Sequence, residues 1–142
     1  MPKNRGNFNV LELIKEVMNT QEVANRLIQL CREGKNVQAI DELYADNVIS
    51  KEPDGAPMEL TEGKEAVKNK TIEWENMVEE LHSAIISDAL VADSFFTVVM
   101  DMDVTYKGME RIGMNELAVY EVKDGKIVAE EFFYKMPAMA SN

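Results

Sequence analysis

Residues 94–107 read SFFTVVMDMDVTYK, and the regular alternation in this stretch is the strongest structural signal in the chain. The apolar and aromatic side chains of one parity are Phe96, Val98, Met100, Met102, Val104 and Tyr106. A period of two is typical of a β-strand with one buried face. Because Asp101, Asp103 and Lys107 fall on the other parity, we predict a strand that is covered on one side only.

Similar runs lie on both sides of this stretch. Lys107-Gly108 separates it from the next run, and the tetrapeptide KDGK at 123–126 supplies the Asp-Gly pair that a two-residue hairpin requires. We therefore predict an antiparallel meander of the runs 79–90, 94–107, 109–122 and 126–136. Its inner face carries, from the last two runs, Ile112, Met114, Glu116, Ala118, Tyr120, Val122, Glu130, Phe132, Tyr134 and Met136.

The outer face of the predicted sheet also carries a group of apolar side chains. This patch consists of Phe95, Val99, Leu117, Val119, Ile127 and Phe133. Exposed apolar patches of this kind usually mark an interface. We expect a homodimer that packs through this sheet face.

Helical periodicity dominates the first half of the chain. Asn19 with Glu22 forms a capping-box pattern before an apolar face that includes Leu27 and Cys31, and Gly34 ends that helix. The other predicted elements are a helix after Asn9 reaching Met18, a helix from Asn36 to Tyr44, a turn at Ala45-Asp46-Asn47, a short strand at 48–52 and a helix after Gly63 with Val67 and Trp74 on its apolar side. Helices followed by strands predict one α+β domain at 19–142, with residues 1–18 as a helical extension.

Charge and composition exclude several classes of function. The 142 residues carry a net charge of −11, so the basic surface that binds nucleic acid or anionic membranes is not expected. No apolar run approaches the length of a membrane span, and none follows the basic N-terminus as a secretory leader would require. Cys31 is the only cysteine, so we expect an inert buried thiol and a cytoplasmic protein.

Three segments in a fixed order resemble the NTF2-like superfamily, in particular its SnoaL-like and ketosteroid-isomerase-like members. They are LYADNV at 43–48, the Pro-Asp-Gly turn at 53–55 and EGKEAV at 62–67, and the hairpin at 122–128 closes the pattern. The resemblance covers about residues 20–136. It implies a cone-shaped (cystatin-like) α+β fold, in which a curved antiparallel sheet wraps around three to four N-terminal helices. This fold hosts isomerases, cyclases, dehydratases, hydrolases and binding domains, so the resemblance implies a fold more than a function.

Such a cone leaves an apolar pocket at its open end that is suited to a small, mostly apolar ligand. The side chains expected to line it are Leu27, Tyr44, Val67, Trp74, Phe96, Val98, Met100, Ile112, Met114, Tyr120, Phe132 and Tyr134. The alternative is that these residues simply fill a core that has no usable cavity.

Three carboxylates are candidates for catalysis. Glu52 precedes Pro53, which in ketosteroid isomerase is the position of the carboxylate that shuttles a proton beside a carbonyl. Glu116 and Glu130 interrupt strand faces that are otherwise apolar, and such surroundings raise a carboxyl pKa towards neutrality. Each glutamate has an alternative role in a salt bridge, at a sheet edge, or in solvent if the strand register differs by one residue. Leu27 and Ala118 stand where that enzyme has its oxyanion donors, so those donors do not carry over.

Other polar residues give weaker signals. His82 near a strand end is more typical of a surface residue than of a catalytic one, and Asp46 reads as a turn former. With one histidine and no cysteine cluster, we expect no metal site, and no cofactor motif is present. The first functional hypothesis is an enzyme without cofactor (an isomerase, cyclase or lyase) that uses a pocket carboxylate aided by Tyr120 or Tyr134. The second is a non-catalytic module for small-molecule binding or dimerisation.

Overall fold

The computed structural model describes residues 17–136. The helix predicted after Asn9 lies outside the described residues up to position 16, and Val17 and Met18, its last predicted residues, are not helical. The end of the predicted domain, 137–142, also lies outside them. The division of the chain at residue 18 therefore stays a prediction.

Within residues 17–136 the chain forms three helices and a seven-stranded sheet. The helices are α1 (Thr20–Arg32), α2 (Asn36–Leu43) and α3 (Lys64–Met77). The strands are β1 (Tyr44–Lys51), β2 (Leu60–Glu62), β3 (Val78–Ile86), β4 (Leu90–Ala92), β5 (Phe95–Tyr106), β6 (Arg111–Lys123) and β7 (Lys126–Phe133). The predicted α+β class, with a curved sheet around helices, is confirmed.

The sheet has the order β2-β1-β7-β6-β5-β3, with β4 on the free part of β5. Every pair is antiparallel except β1 with β7, which run parallel. A parallel pair needs a long crossover, and here the whole segment from β2 to β6 provides it. The last strand of the meander is thereby placed beside the first strand of the chain, which joins the helical half to the sheet.

The predicted capping box of α1 is present. The backbone N–H of Glu22 donates to Asn19 Oδ1 at 2.8 Å, and the N–H of Asn19 donates to Glu22 Oε1 at 3.0 Å. The buried residues of α1 are Val23, Ala24, Leu27, Ile28 and Leu30. This face packs on the sheet, where the stacked rings of Phe96 and Tyr120, 4.7 Å apart, form the centre of the core.

The prediction was wrong at the start of β1. Tyr44, which was assigned to a helix, is the first residue of the strand, and Ala45-Asp46-Asn47 continue the strand instead of making a turn. Tyr44 pairs with Ile127 of β7, and the register shifts before Ile49. Strand pairing with a distant segment overrides local turn propensity here. The run 79–90 also divides into β3 and β4, and the three-residue β2 carried no periodic signal that would have revealed it.

Ile127 was assigned to the outer face, and this assignment was wrong because β7 contains a bulge. The β6–β7 register passes from Glu121↔Ala129 to Val122↔Ile127, so one residue of β7 is extra. A bulge inverts the alternation on one side of it. Ile127 is therefore fully buried on the same side as Glu130, and the outer patch loses this member.

Two turn glycines allow a test of how the chain packs beside the meander. Gly125 (φ +76°) joins β6 to β7, and an added Cβ would lie 3.2 Å from the backbone nitrogen of Met18. Gly108 (φ +74°) joins β5 to β6 and has no atom within 4 Å of that position. We expect Gly108→Ala to lower the free energy of unfolding by about 1–2 kcal/mol through backbone strain. Gly125→Ala should cost a further ~1–3 kcal/mol because Met18 must move.

Urea denaturation of both variants measures this difference. Equal losses of stability would show that the Val17–Met18 segment does not pack on the β6–β7 turn in solution.

Candidate functional site

A cavity of about 360 Å³ lies between the concave face of the sheet and the three helices. Eight of the side chains that were expected to line a pocket line this cavity: Leu27, Tyr44, Trp74, Met100, Met114, Tyr120, Phe132 and Tyr134. The cavity is mainly apolar, and it also exposes Glu52, Glu116 and Glu130. The three candidate carboxylates thus come from three separate parts of the chain to one space.

Four expected lining residues do not reach this cavity. Val67, Phe96 and Val98 are at most 2% exposed and belong to the core. Phe96 and Val98 share a strand face with Met100, which lines the cavity, but they lie further along β5 in the packed core. Ile112 pairs with Val104 near the turn of the β5–β6 hairpin, and it does not line the cavity.

Glu130 is held on both oxygens. Tyr44 Oη donates to Oε1 in a short hydrogen bond, and Ser50 Oγ donates to Oε2 at 2.6 Å. Glu130 and Ser50 are paired residues of β7 and β1, and both are buried. Burial raises the pKa of Glu130, while these hydrogen bonds and the charge of Lys70 act in the opposite direction. With a hydrogen-bond donor on each oxygen, Glu130 is placed as a structural acceptor.

Glu52 is half engaged. Its Oε1 accepts a hydrogen bond of 3.0 Å from Tyr134 Oη, and its Oε2 is buried without a hydrogen bond among the described residues. The ammonium of Lys70 is 3.9 Å from Oε2. Burial raises the pKa of Glu52, and Lys70 and Tyr134 counteract this shift by favouring the charged form.

Glu116 differs from the other two carboxyls, because no hydrogen bond or salt bridge to its side chain is found within residues 17–136. Burial raises its pKa to about 7, the neighbouring charges of Glu52 and Glu130 add to the shift, and Lys70 opposes it. A carboxyl with this pKa exists in both protonation states at neutral pH. It can therefore accept a proton from a molecule in the cavity and return it.

Lys70 is the site residue that sequence reasoning missed. It lies on α3 between Val67 and Trp74, at a spacing that places all three on the buried side of the helix. Its Nζ donates to Ser50 Oγ at 2.7 Å and stands 5.6 Å from the ring centre of Phe132. A lysine on an apolar helical face was the available signal.

Tyr106 is a second residue that was missed as a site component, although its strand face was predicted. Trp74 Nε1 donates to Tyr106 Oη at 2.9 Å, and that hydroxyl directs its own proton to the thioether of Met114 at 3.3 Å. Sulfur is a weak acceptor. The hydroxyl can thus release Met114 and donate to a better acceptor placed in the cavity.

The remaining candidates lie away from these groups or take no part in their contacts. His82 bonds to Thr105 and Glu80, and Asp103 pairs with Arg111 at 2.6 Å on the outer face. Burial raises the pKa of the Cys31 thiol to about 12, although the residue lines the cavity. No cluster of acidic, histidine or cysteine side chains suited to a metal ion occurs in the described part of the chain. None of the helices at 17–136 is long and apolar enough to cross a membrane.

Solved structures with the same fold provide the first comparison. The chain is 34% identical to a protein from Mesorhizobium loti described as a candidate SnoaL-like polyketide cyclase, with 82% of this chain and 100% of that chain covered and a TM-score of 0.76. A Catenulispora acidiphila protein with a ketosteroid-isomerase-like fold, in complex with trimethylamine, is 18% identical over 83% of this chain and 88% of its own (TM-score 0.66). TerC, co-crystallised with polyporic acid, is 13% identical over 80% and 89% (TM-score 0.67).

The last two likenesses show the fold alone, and other structures of this shape are described as NTF2-like or cystatin-like. The comparison with curated proteins finds no match. The pattern of the SnoaL-like domain family matches residues 18–134. With most of the chain matched and the predicted fold present, this protein belongs to the SnoaL-like domain family, within the NTF2-like fold.

Proposed function

We propose that the protein catalyses a cofactor-independent proton transfer on a small, mostly apolar carbonyl compound, with Glu116 as the group that takes up and returns the proton. One observation carries this proposal: Glu116 is a carboxyl in an apolar cavity, without a partner among the described residues, whose pKa is raised to about 7. A general base is most effective when its pKa lies near the working pH. The reaction class is an isomerisation, cyclisation or elimination.

The proposed step is the removal of a proton from a carbon atom of the substrate, which forms an enolate. The Glu116 carboxylate removes a proton from the carbon next to the carbonyl, and the electron pair of that C–H bond moves to the carbonyl oxygen to form an enolate. The Tyr106 hydroxyl, which already accepts a hydrogen bond from Trp74, keeps its proton and stabilises the enolate oxygen by donating a hydrogen bond to it. Return of the proton from Glu116 to another carbon completes an isomerisation. In a cyclisation the enolate carbon attacks a second carbonyl, and the alkoxide that forms takes the proton from Glu116. In an elimination a leaving group departs from the neighbouring carbon with its bonding electron pair, and Glu116 protonates it.

The charges in the cavity disfavour an anionic substrate. Among residues 17–136, three carboxyls and one lysine line the space, and that lysine already donates a hydrogen bond to Ser50. An acidic ligand would therefore meet net repulsion in surroundings of low dielectric constant. The likeness to the Mesorhizobium protein supports cyclisation as one form of the reaction.

Ligand binding without turnover is the second candidate function. Leu27 and Ala118 stand at the positions where the resemblance to ketosteroid isomerase would require oxyanion donors. The side chains of Leu27 and Ala118 have no polar atom, so neither can donate a hydrogen bond to an oxyanion. Tyr106 is the group that distinguishes the two functions, since catalysis requires a hydrogen-bond donor for the enolate oxygen and a binding module does not.

We also propose that two copies pack through the outer sheet face. Phe95, Val99, Leu117 and Phe133 remain between 39% and 48% exposed on this face. Val119 lies among them and is half-buried. Burial of this patch against a second copy would remove apolar surface from water. The cytoplasmic location stays a prediction from the sequence.

Replacement of the proposed base tests the catalytic function directly. We expect the protein to accelerate exchange of α-protons for deuterium in a panel of small uncharged ketones and diketones in D₂O, followed by NMR. Glu116→Gln should slow this exchange by roughly 10²–10⁴-fold. Glu121→Gln, on the opposite face of the same strand, is the control and should keep the wild-type rate. An unchanged rate in Glu116→Gln would remove Glu116 from the mechanism.

The pKa of Glu116 also predicts how stability depends on pH. Its pKa is raised in the folded protein, so the folded state binds more protons than the unfolded state between about pH 4.5 and pH 7. Wild-type stability should therefore fall as the pH rises through this window, relative to Glu116→Gln, in which position 116 no longer titrates. By pH 8 we expect the variant to gain on the order of 2 kcal/mol relative to wild type. Thermal denaturation at pH 5 and pH 8 measures the gain, and a constant difference at both pH values contradicts it.

The dimer is tested by placing a charge on the outer face. Phe133→Asp should convert a dimer into a monomer in analytical ultracentrifugation, because the carboxylate would be buried without a partner. Lys135→Asp, nearby and exposed, is the matched control and should leave the dimer intact. Sedimentation of the unaltered protein as a monomer would reject the proposal.

A further inference from the structure

Three carboxyls and one ammonium group line the cavity, and the three carboxyls cannot all be ionised with equal ease. Carboxylates in a site of low dielectric constant repel one another, so at least one tends to hold a proton. Which one does so depends on where the positive charge lies. Lys70 is the only basic side chain that lines the cavity within the described residues, so its position decides the distribution of charge.

The position of Lys70 is fixed by a chain of hydrogen bonds that leads into the sheet. Lys70 Nζ donates to Ser50 Oγ at 2.7 Å, and Ser50 Oγ donates to Glu130 Oε2 at 2.6 Å. Tyr44 Oη occupies the other oxygen of Glu130. This series of hydrogen bonds joins α3, β1 and β7, and Ser50 and Glu130 at its inner end are buried. The ammonium is therefore anchored, which is unusual for a flexible lysine side chain.

The anchored ammonium is placed unequally with respect to the carboxyls. It reaches Glu130 through Ser50 and lies 3.9 Å from Glu52 Oε2, but it makes no ion pair with Glu116. Glu52 Oε2 has no hydrogen-bond donor in the described chain, so this charge is its nearest compensation. Opposite charges at such a distance favour ionisation of the carboxyl.

We propose that Lys70 is the positioning residue of the site: anchored by Ser50 and Glu130, its ammonium keeps the negative charge on Glu52 and Glu130 and leaves Glu116 to exchange the proton. This inference deepens the proposed function and rests on it for its catalytic meaning. The electrostatic arrangement itself requires no substrate. Lys70 acts through the carboxyls and does not touch the reacting atoms.

The groups that face this arrangement come from every element around the cavity. The titratable side chains that line it are Cys31, Tyr44, Glu52, Lys70, Tyr106, Glu116, Tyr120, Glu130 and Tyr134. Burial raises the pKa of the Cys31 thiol and of the Tyr44, Tyr106, Tyr120 and Tyr134 hydroxyls, so these groups stay neutral near pH 7. Only the three carboxyls and Lys70 therefore set the charge of the site in that range.

The test is a titration of the ligand-free protein by ¹³C NMR of the glutamate carboxyl carbons, with Glu52 and Glu116 assigned through their Gln variants. In the unaltered protein we expect Glu52 to titrate at lower pH than Glu116. In Lys70→Met the midpoint of Glu52 should rise by about 1 pH unit or more, because its compensating charge is gone. Lys70→Arg keeps the charge and should restore most of the wild-type midpoint.

Lys68→Met is the matched control. Lys68 is on the same helix, but it pairs with Asp41 at 2.9 Å outside the cavity, so its removal should leave both midpoints unchanged. If Lys70→Met does not fold, Lys70→Gln replaces it, since the amide can still donate to Ser50 without carrying charge. A Glu52 midpoint that stays at the wild-type value in a folded neutral variant would overturn the proposal.

The unaltered protein provides a further test that depends on no variant at Lys70. Titration of Glu116 at lower pH than Glu52 would overturn the proposal. This result is separate from the fate of the proposed function: if Glu116→Gln kept full α-proton exchange, the catalytic proposal would fail while the effect of Lys70 on Glu52 remained measurable.

Discussion

The parallel contact between β1 and β7 is the constraint on which the site depends. Ser50 and Glu130 are paired across this contact, and a buried carboxyl there needs hydrogen-bond donors to offset its loss of hydration. Tyr44 and Ser50, both from β1, provide them. The same hydrogen bonds that satisfy Glu130 fix the last strand of the meander against the first strand, and so they fix the inner face of the cavity.

The three glutamates of the site differ in the number of hydrogen bonds that their oxygens accept. Glu130 has both oxygens engaged, Glu52 has one, and no partner of Glu116 is found among residues 17–136. Burial acts on all three in the same direction, so their differences come from the hydrogen bonds and from Lys70. This arrangement supports the proposal that Glu130 has a structural role and that Glu116 exchanges the proton, although all three carboxyls line one cavity.

The donor side of the cavity is built differently from the acceptor side. Tyr106 and Trp74 come from β5 and α3, and their hydroxyl and indole groups form one hydrogen bond in an edge-to-face pair of rings 6.5 Å apart. Packing of the aromatic rings holds the Tyr106 hydroxyl in place, while this hydroxyl donates its hydrogen bond to the sulfur of Met114, a weak acceptor. A donor of this kind is ready to turn to a ligand without breaking a strong hydrogen bond.

The sequence by itself determined the class of fold, the meander and the capping box of α1, because period-two alternation, an Asp-Gly turn and an Asn-x-x-Glu cap act over a few neighbouring residues. It also marked Glu116 and Glu130 as carboxyls on apolar faces. Only the tertiary structure decided that Tyr44 begins a strand, that the bulge of β7 buries Ile127, and that Lys70 joins the carboxyls through Ser50. The positions of Tyr44 and Lys70 depend on contacts between residues 20 to 86 positions apart, and no local pattern encodes the partner that such a residue will meet. The bulge lies within the β6–β7 hairpin, where the alternation of the sequence does not show which residue is extra.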